Sequence, residues 1–457
     1  MSSVAHKTGI WQAPVFDESN GPVTFERIDR EILATLKPPT YSWYLCFLTA
    51  VSCLIVGICC WTNQILNGIG LTGKNNPLSW AVFITDFVFW VGIAHAGTLI
   101  SAVLFLFRAK WRVPIYRLAE AMTVFAVATA GLFPLIHLGR VWYFYFLLPY
   151  PNQRYLWPNF KSPLLWDVFA VSTYLTISVC FFITGLIPDI ACARDRATGF
   201  RKLLYSVTAL GWRGSANQWR HYMAAYGFFA ALATPLVLSV HSVVSWDFAM
   251  SIVPGWHTTI FPPYFVAGAI FSGLAMVITI GIPLRNAFKL EAYLTIWQFE
   301  KMAQLILFTG NIVTLAYATE FFMAWYSQNP FEQYQFWFRA FGTQKVYFWG
   351  MVFCNCIIPQ TLWIKKFRTS LIWLWILSIF INIGMWLERF NIIVQSLSRD
   401  YIPYTWDNYV FTWNELGITL GSFGWFFTLF LIFIKFFPSL SMTEIKETLP
   451  PPMREAH

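Results

Sequence analysis

Apolar runs of roughly twenty residues recur along this chain from Ser42 to Pro438, and each can cross a hydrocarbon core of about 30 Å. Lipid offers no hydrogen-bond partner to a backbone, so such runs must satisfy their peptide groups within helices. The composition agrees: of 457 residues, 57% are hydrophobic and 12% are charged. An ordinary soluble domain carries about 25% charged residues. The sequence therefore predicts an all-α integral membrane protein with spans near 42–65, 79–107, 115–147, 164–192, 218–250, 262–288, 299–327, 344–364, 369–395 and 414–438.

The net charge is +9, from 31 Lys+Arg and 22 Asp+Glu. The basic residues gather in alternate loops: Arg108, Lys110 and Arg112, then Arg194, Arg196, Arg201, Lys202 and Arg213, then Arg285 and Lys289, then Lys365, Lys366 and Arg368. This bias reports membrane orientation, with both termini cytoplasmic, rather than a nucleic-acid partner. The opposite loops are aromatic and Pro-rich, as at Pro149–Tyr155, Leu156–Pro158, Pro254–Trp256 and Phe261–Tyr264. Much of that is the usual interfacial belt, and the rest suits the entrance for a lipophilic ligand. Residues 1–41 carry Asp17, Glu18, Glu26, Asp29 and Glu31 without an apolar core. They read as a soluble extension able to dock on a neighbour, not as a signal peptide; residues 439–457 form a tail on the same side.

The eight cysteines lie mostly in apolar runs and show neither CxxC nor CxxCH spacing. The expectation is no iron–sulfur cluster and no c-type haem in this chain, and no metal site. His137 and His241 fall at similar depth and have the spacing for bis-imidazole haem ligation, but no second stacked pair follows, so an intrinsic haem is not expected.

Small residues echo between two stretches: Ala96-Gly97 with Ser101, and Ala267-Gly268 with Ser272. Glu120-Ala-Met122 is likewise matched by Glu300-Lys-Met302. Spans 2–5 and 6–9 then read as two four-helix bundles (79–260 and 262–395) of one topology, although the same residues also serve close helix packing.

An ionisable residue at the bilayer centre costs about 3 kcal/mol on insertion scales, so each one needs a reason. His137 lies about ten residues before the outer end of the third span, in Phe133-Pro-Leu-Ile-His-Leu-Gly-Arg140. Asp167 opens the fourth span behind Trp166, Asp247 closes the fifth behind Trp246, and His257 follows. Asp167 alone is explained as a first-turn carboxylate, and His137 alone as a hydrogen-bonded core residue. Together, on one side of the membrane, these groups suit a site that takes protons from a bound lipophilic substrate such as a quinol.

A second set is a candidate proton path. Asp167, Tyr174, Ser178 and Asp189 fall within a sector of roughly 60° on the fourth span, along about 33 Å. Asp86, His95 and Glu320 are further intramembrane members, as is Glu120 if a kink at Pro134 or a neighbouring span brings it round. Below His137, Ala130, Ala126 and Thr123 are small enough to leave room for water. Glu388-Arg389 is either a local pair or a source of charge for Glu320. The bland alternative is that Glu120 and Asp189 sit at the membrane interface.

The stretch Phe133–Trp142, Pro149–Arg154, Trp157–Pro163, Trp166-Asp167, Gly185-Leu-Ile-Pro-Asp189 and Arg194-Asp195 resembles the polysulfide reductase membrane subunit (NrfD-like) family. Within it, the likeness is to the quinol-binding membrane subunit of alternative complex III, a quinol:electron-acceptor oxidoreductase. The resemblance implies a ten-span, cofactor-free subunit of the bacterial cytoplasmic membrane that oxidises quinol, menaquinol by preference, near the outer face. It implies His137, Asp167 and Asp247 as catalytic and quinol-binding residues, with His257, Arg140 and Trp166 beside them. Implied partners are c-type haem subunits, an iron–sulfur subunit, a second NrfD-like membrane subunit and a terminal oxidase, with coupling to proton translocation. Two rival readings remain from the residues: a proton-coupled secondary transporter, and a structural anchor for redox subunits.

Overall fold

The protein is all-α, as its apolar runs require. The computed structural model describes residues 16–449 except 20, 38 and 149–162. The aromatic loop 149–158 and most of Trp157–Pro163 therefore lie outside the described residues. The helices are α1 (Phe25–Ala34), α2 (Tyr41–Asn67), α3 (Val82–Leu106), α4 (Tyr116–His137), α5 (Pro163–Arg196), α6 (Gly199–Thr208), α7 (Ala216–Ala249), α8 (Phe261–Ala287), α9 (Ile296–Tyr326), α10 (Pro330–Phe341), α11 (Lys345–Val352), α12 (Leu371–Gln395), α13 (Trp413–Phe436) and α14 (Met442–Glu447). Nine of these, among the described residues, are long and apolar enough to span a membrane. The tenth expected span begins as α11 and continues to Trp363 through a widened turn at Phe353–Ile357 and a tightened one at Ile358–Trp363. Pro359, which has no N–H to give, sits at the change of pitch.

The central helices are α3 and α8, whose most apolar windows are 83% buried, against 11% for α2. Glycines let them close in. A side chain on Gly97 would strike Thr123 and the Ala119 carbonyl of α4, and one on Gly273 would strike Ala96 of α3. Gly268 instead faces Met385 and Arg389 of α12. The Ala-Gly pairs thus both serve close packing, against different neighbours. Peripheral α2 leans on α13, where Gly57 meets Gly421 backbone to backbone.

The third span is shorter than expected. It loosens at Gly131, ends at His137 and is stopped at Gly139, whose φ of 72° suits a residue without Cβ. Residues Val141–Leu147 then form a separate tight helical segment with Trp142, Phe144 and Phe146 exposed. His137 is consequently a terminal residue of the span and not one three turns deep. Ala126 and Ala130 are fully buried and Thr123 donates to the Ala94 carbonyl at 2.8 Å, so this face packs against α3 and does not hold a water channel.

On the Lys/Arg-rich side, α1 buries Ile28 and Ile32 completely. Its Asp29 meets Arg196 at 3.0 Å and Lys446 at 2.6 Å. The described part of the N-terminal extension therefore packs on its own chain, beside α14.

Candidate functional site

α5 starts at Pro163, which leaves Trp166 and Asp167 near the mouth of the helix. α7 closes at Ala249, leaving Trp246 and Asp247 at the same level. The two Trp rings meet edge to face with centroids 5.8 Å apart. Behind them the carboxyl groups of Asp167 and Asp247 face one another within hydrogen-bonding reach. Both residues are buried, at 6% and 7% exposure. Both oxygens of Asp167 and Oδ1 of Asp247 find no donor, and neither carboxyl pairs with a cation, among the described residues. Two carboxyl groups this close and without a cation are most stable when they share a proton.

His137 has Lys74 as its neighbour. The Lys74 ammonium lies 3.0 Å from its Nδ1 and donates to it, which leaves Nε2 to carry the imidazole proton. Lys74 also lies over the Phe83 ring, at 5.6 Å. Burial lowers this ammonium to about 8, despite the opposing charge of Glu415. Gln64 of α2 supports the helix end by donating to the Ile136 carbonyl at 2.8 Å. His257 is exposed and meets its own loop at the Ser251 carbonyl, 3.0 Å away. Arg140 is also exposed.

Six residues deeper on α7, about 9 Å along the helix, His241 lies against His95 of α3 with ring centroids 4.5 Å apart. His95 Nδ1 is 2.7 Å from the Val91 carbonyl and must donate there, so its Nε2 is the bare acceptor. That atom and both nitrogens of His241 lack partners among the described residues. Tyr174 stands beside His95 at 5.3 Å, and its hydroxyl contacts Thr98 at 2.7 Å and the Ala94 carbonyl at 3.1 Å. Ser178, one turn on, is buried without a partner among the described residues. The structure thus pairs His241 with His95, not with His137.

The remaining candidates are fastened. Arg117, fully buried, reaches Glu120 at 3.2 Å, Asp189 at 3.1 Å and the Gly185 carbonyl at 2.6 Å. Tyr226 donates to the other oxygen of Glu120 at 3.1 Å. Thr443 of α14 donates its backbone N–H and hydroxyl to Asp189 at 3.0 and 2.8 Å. Glu120 comes round through Arg117 and Tyr226, with no help from a kink at Pro134. Asp86 accepts from Trp386 at 2.7 Å and Thr419 at 2.6 Å, tying α3 to α12 and α13. Glu388 pairs with Arg389 at 2.6 Å and accepts from Tyr317, whose hydroxyl in turn accepts from Asn355. Glu320 keeps one oxygen without a partner among the described residues, in a small cavity with Tyr264, Arg339 and Asn391.

Lys74 and Arg117 are the residues that sequence reading passed over. Arg117 had a signal, since it precedes Glu120 by three positions on one helix face. Lys74 had none, because its partner is 63 positions away.

The profile described as "Polysulphide reductase, NrfD" matches residues 70–399, well over half the chain. The chain belongs to the NrfD family. The match takes in Lys74, both bundles and every candidate residue above. It leaves out α1, α2, α13 and α14. Among curated NrfD relatives, a putative dimethyl sulfoxide reductase membrane subunit of Halobacterium salinarum is 28% identical over 50% of this chain and 49% of its own length. A selenate reductase subunit of Mesobacillus selenatarsenatis is 22% identical over 88% of this chain and 96% of its own. The "Hdr-like menaquinol oxidoreductase integral membrane subunit" of Archaeoglobus fulgidus is 21% identical over 83% and 90%. The matched segment spans about half the length of the first relative and nearly all of the other two.

Proposed function

We propose that this NrfD-family chain is the quinol-oxidising membrane subunit of a respiratory quinol:electron-acceptor oxidoreductase of the alternative complex III kind. The observation that carries this reading is the Asp167–Asp247 carboxyl pair, buried beside two tryptophans and free of cations among the described residues. The name of the Archaeoglobus relative supports a menaquinol substrate.

A quinol becoming a quinone gives up two electrons and two protons, and each proton needs an acceptor. The carboxyl pair takes a proton from one hydroxyl and hands it to the nearby aqueous face, which resets it for the second. His137, with Lys74 on Nδ1, presents its Nε2–H to a ring oxygen and orients it. The electrons leave to an iron–sulfur protein and then to c-type haem proteins seated on the aromatic face. A second NrfD-like subunit and a terminal oxidase complete the assembly in a bacterial cytoplasmic membrane, with both termini cytoplasmic. His95, His241, Tyr174 and Ser178 supply a relay below the pair for proton translocation.

The test is quinol-dependent haem reduction in the purified assembly, wild type against Asp167→Asn, with every polypeptide of the assembly shown to be present in equal amount. Loss of reduction supports the reading. Unchanged reduction moves the quinol site elsewhere and leaves this chain an anchor. Solute flux in vesicles holding this chain alone would instead favour a transporter.

A further inference from the structure

A cavity among the described residues lies away from all these groups. It occupies about 920 Å³ between α2, α8 and α13, within the size range of small-ligand sites. Trp43, Ala50, Thr279, Ala287, Phe427 and Ile434 are among its walls. Its span is informative. From Ile434 to Phe423 on α13 the lining runs eleven residues, about 17 Å. From Trp43 to Cys53 on α2 it runs about 15 Å. A whole hydrocarbon core is about 30 Å, so the groove is one leaflet deep. A partner's spanning helix would need the full thickness.

The leaflet is set by the ends. The groove opens where α2 begins and α8 and α13 finish, on the Lys/Arg-rich side. Lys37, Lys289 and Lys435 stand at that end. None of the three forms an ion pair with an acidic side chain among the described residues. Lys435 is only 5% exposed. The single carboxylate of the lining, Glu31, is already engaged by Arg27 at 2.9 Å and Tyr293 at 2.9 Å. An apolar slot of one-leaflet depth beneath three unpaired ammoniums is complementary to an acyl chain beneath an anionic headgroup.

We propose that this groove binds one anionic phospholipid from the leaflet on the Lys/Arg-rich side, with its phosphate among Lys37, Lys289 and Lys435 and an acyl chain between α2, α8 and α13. The lipid covers the exposed flank of α2, which otherwise leans mainly on α13, and so fastens the first span to the central helix α8. This site is independent of the quinol reading.

The experiment uses the intact assembly, delipidated in detergent and titrated with phosphatidylglycerol or with phosphatidylcholine of the same chains. Bound lipid is counted by native mass spectrometry. A photoactivatable phosphatidylglycerol then locates it, the expected label falling on the peptide that carries Cys46 and Cys53. Wild type should retain phosphatidylglycerol over phosphatidylcholine, and Lys37→Gln/Lys289→Gln/Lys435→Gln should lose on the order of a hundredfold in affinity for it. Lys→Arg at the three positions should restore the preference. Ala287→Trp, which fills the groove and leaves the ammoniums, should abolish the label. Equal retention of both lipids by wild type, an unchanged triple variant, label elsewhere, or full competition by free glycerol phosphate would each overturn the proposal. So would cross-linking of Cys46 to a partner polypeptide. If the triple variant does not assemble, Ala287→Trp decides.

Discussion

The two ends of α5 carry the same residue type in opposite surroundings. At one end Asp189 is held by a buried arginine, a threonine hydroxyl and a backbone N–H. At the other, Asp167 meets only another carboxyl group among the described residues. A buried carboxylate that is fully matched is a fastener, and its charge is needed for the fold. A buried carboxyl whose nearest polar neighbour repels its charge adds nothing to stability, which is why the proposed function assigns it proton exchange. One helix thus carries a fastened end and an end whose carboxyl meets its own kind, with Tyr174 between them against His95, which in turn meets His241.

The largest expected effect tests the fastened end. Arg117→Gln strands Glu120 and Asp189 together and should destabilise the protein by about 3–5 kcal/mol. The readout is the yield and thermal midpoint of the assembled protein in membranes. A near-wild-type midpoint would mean that the cluster is not structural, and the contrast would fail.

Asp167→Asn and Asp247→Asn should behave in the reverse way. Quinol turnover should fall by about a hundredfold or more, while the thermal midpoint stays level or rises because a like-charged neighbour has gone. Should either variant lose as much stability as Arg117→Gln, the two ends are not different in kind.

A smaller effect is expected at Lys74. Burial lowers its ammonium to about 8, so it is charged below that pH and loses its proton as pH rises through it. Turnover should therefore decline above pH 8 in wild type, as His137 loses its fixed donor. In Lys74→Met the break should vanish from an activity already reduced about tenfold. Stability has the opposite slope. The unfolded chain keeps this proton to about 10.4, so the contribution of Lys74 to stability rises with pH between about 8 and that value. A turnover profile whose break near pH 8 survives in Lys74→Met would remove Lys74 from the site.

The smallest change sharpens the fastened end. Tyr226→Phe removes one donor from Glu120 while Arg117 stays, and should lower stability by about 1 kcal/mol. A loss as large as that of Arg117→Gln would show that the tyrosine, and not the cation, carries the cluster.

Much of this was legible beforehand. Long apolar runs announce spans because the bilayer leaves the backbone no alternative, and the two Trp-Asp pairs announced themselves by rarity at depth. The motif Phe133–Arg140 pointed to His137, but not to its position at the end of a span, because the stop depends on Gly139 adopting φ 72° after a loosened turn. His95 and His241 gave no hint of meeting, since they lie on helices well separated in the chain. Asp86 looked like a path member from its depth, and the indole and hydroxyl that hold it come from helices some 300 positions away.

The sequence by itself determined that this chain folds as membrane helices, which side gathers its cations, and which residues are too polar to be idle. Those properties follow from transfer free energies, which each residue carries wherever it packs. Which carboxyl is bound to an arginine and which faces its own kind was decided only by tertiary structure. A charge at depth is silenced or exposed by the helix brought against it, and that partner comes from a distant part of the chain.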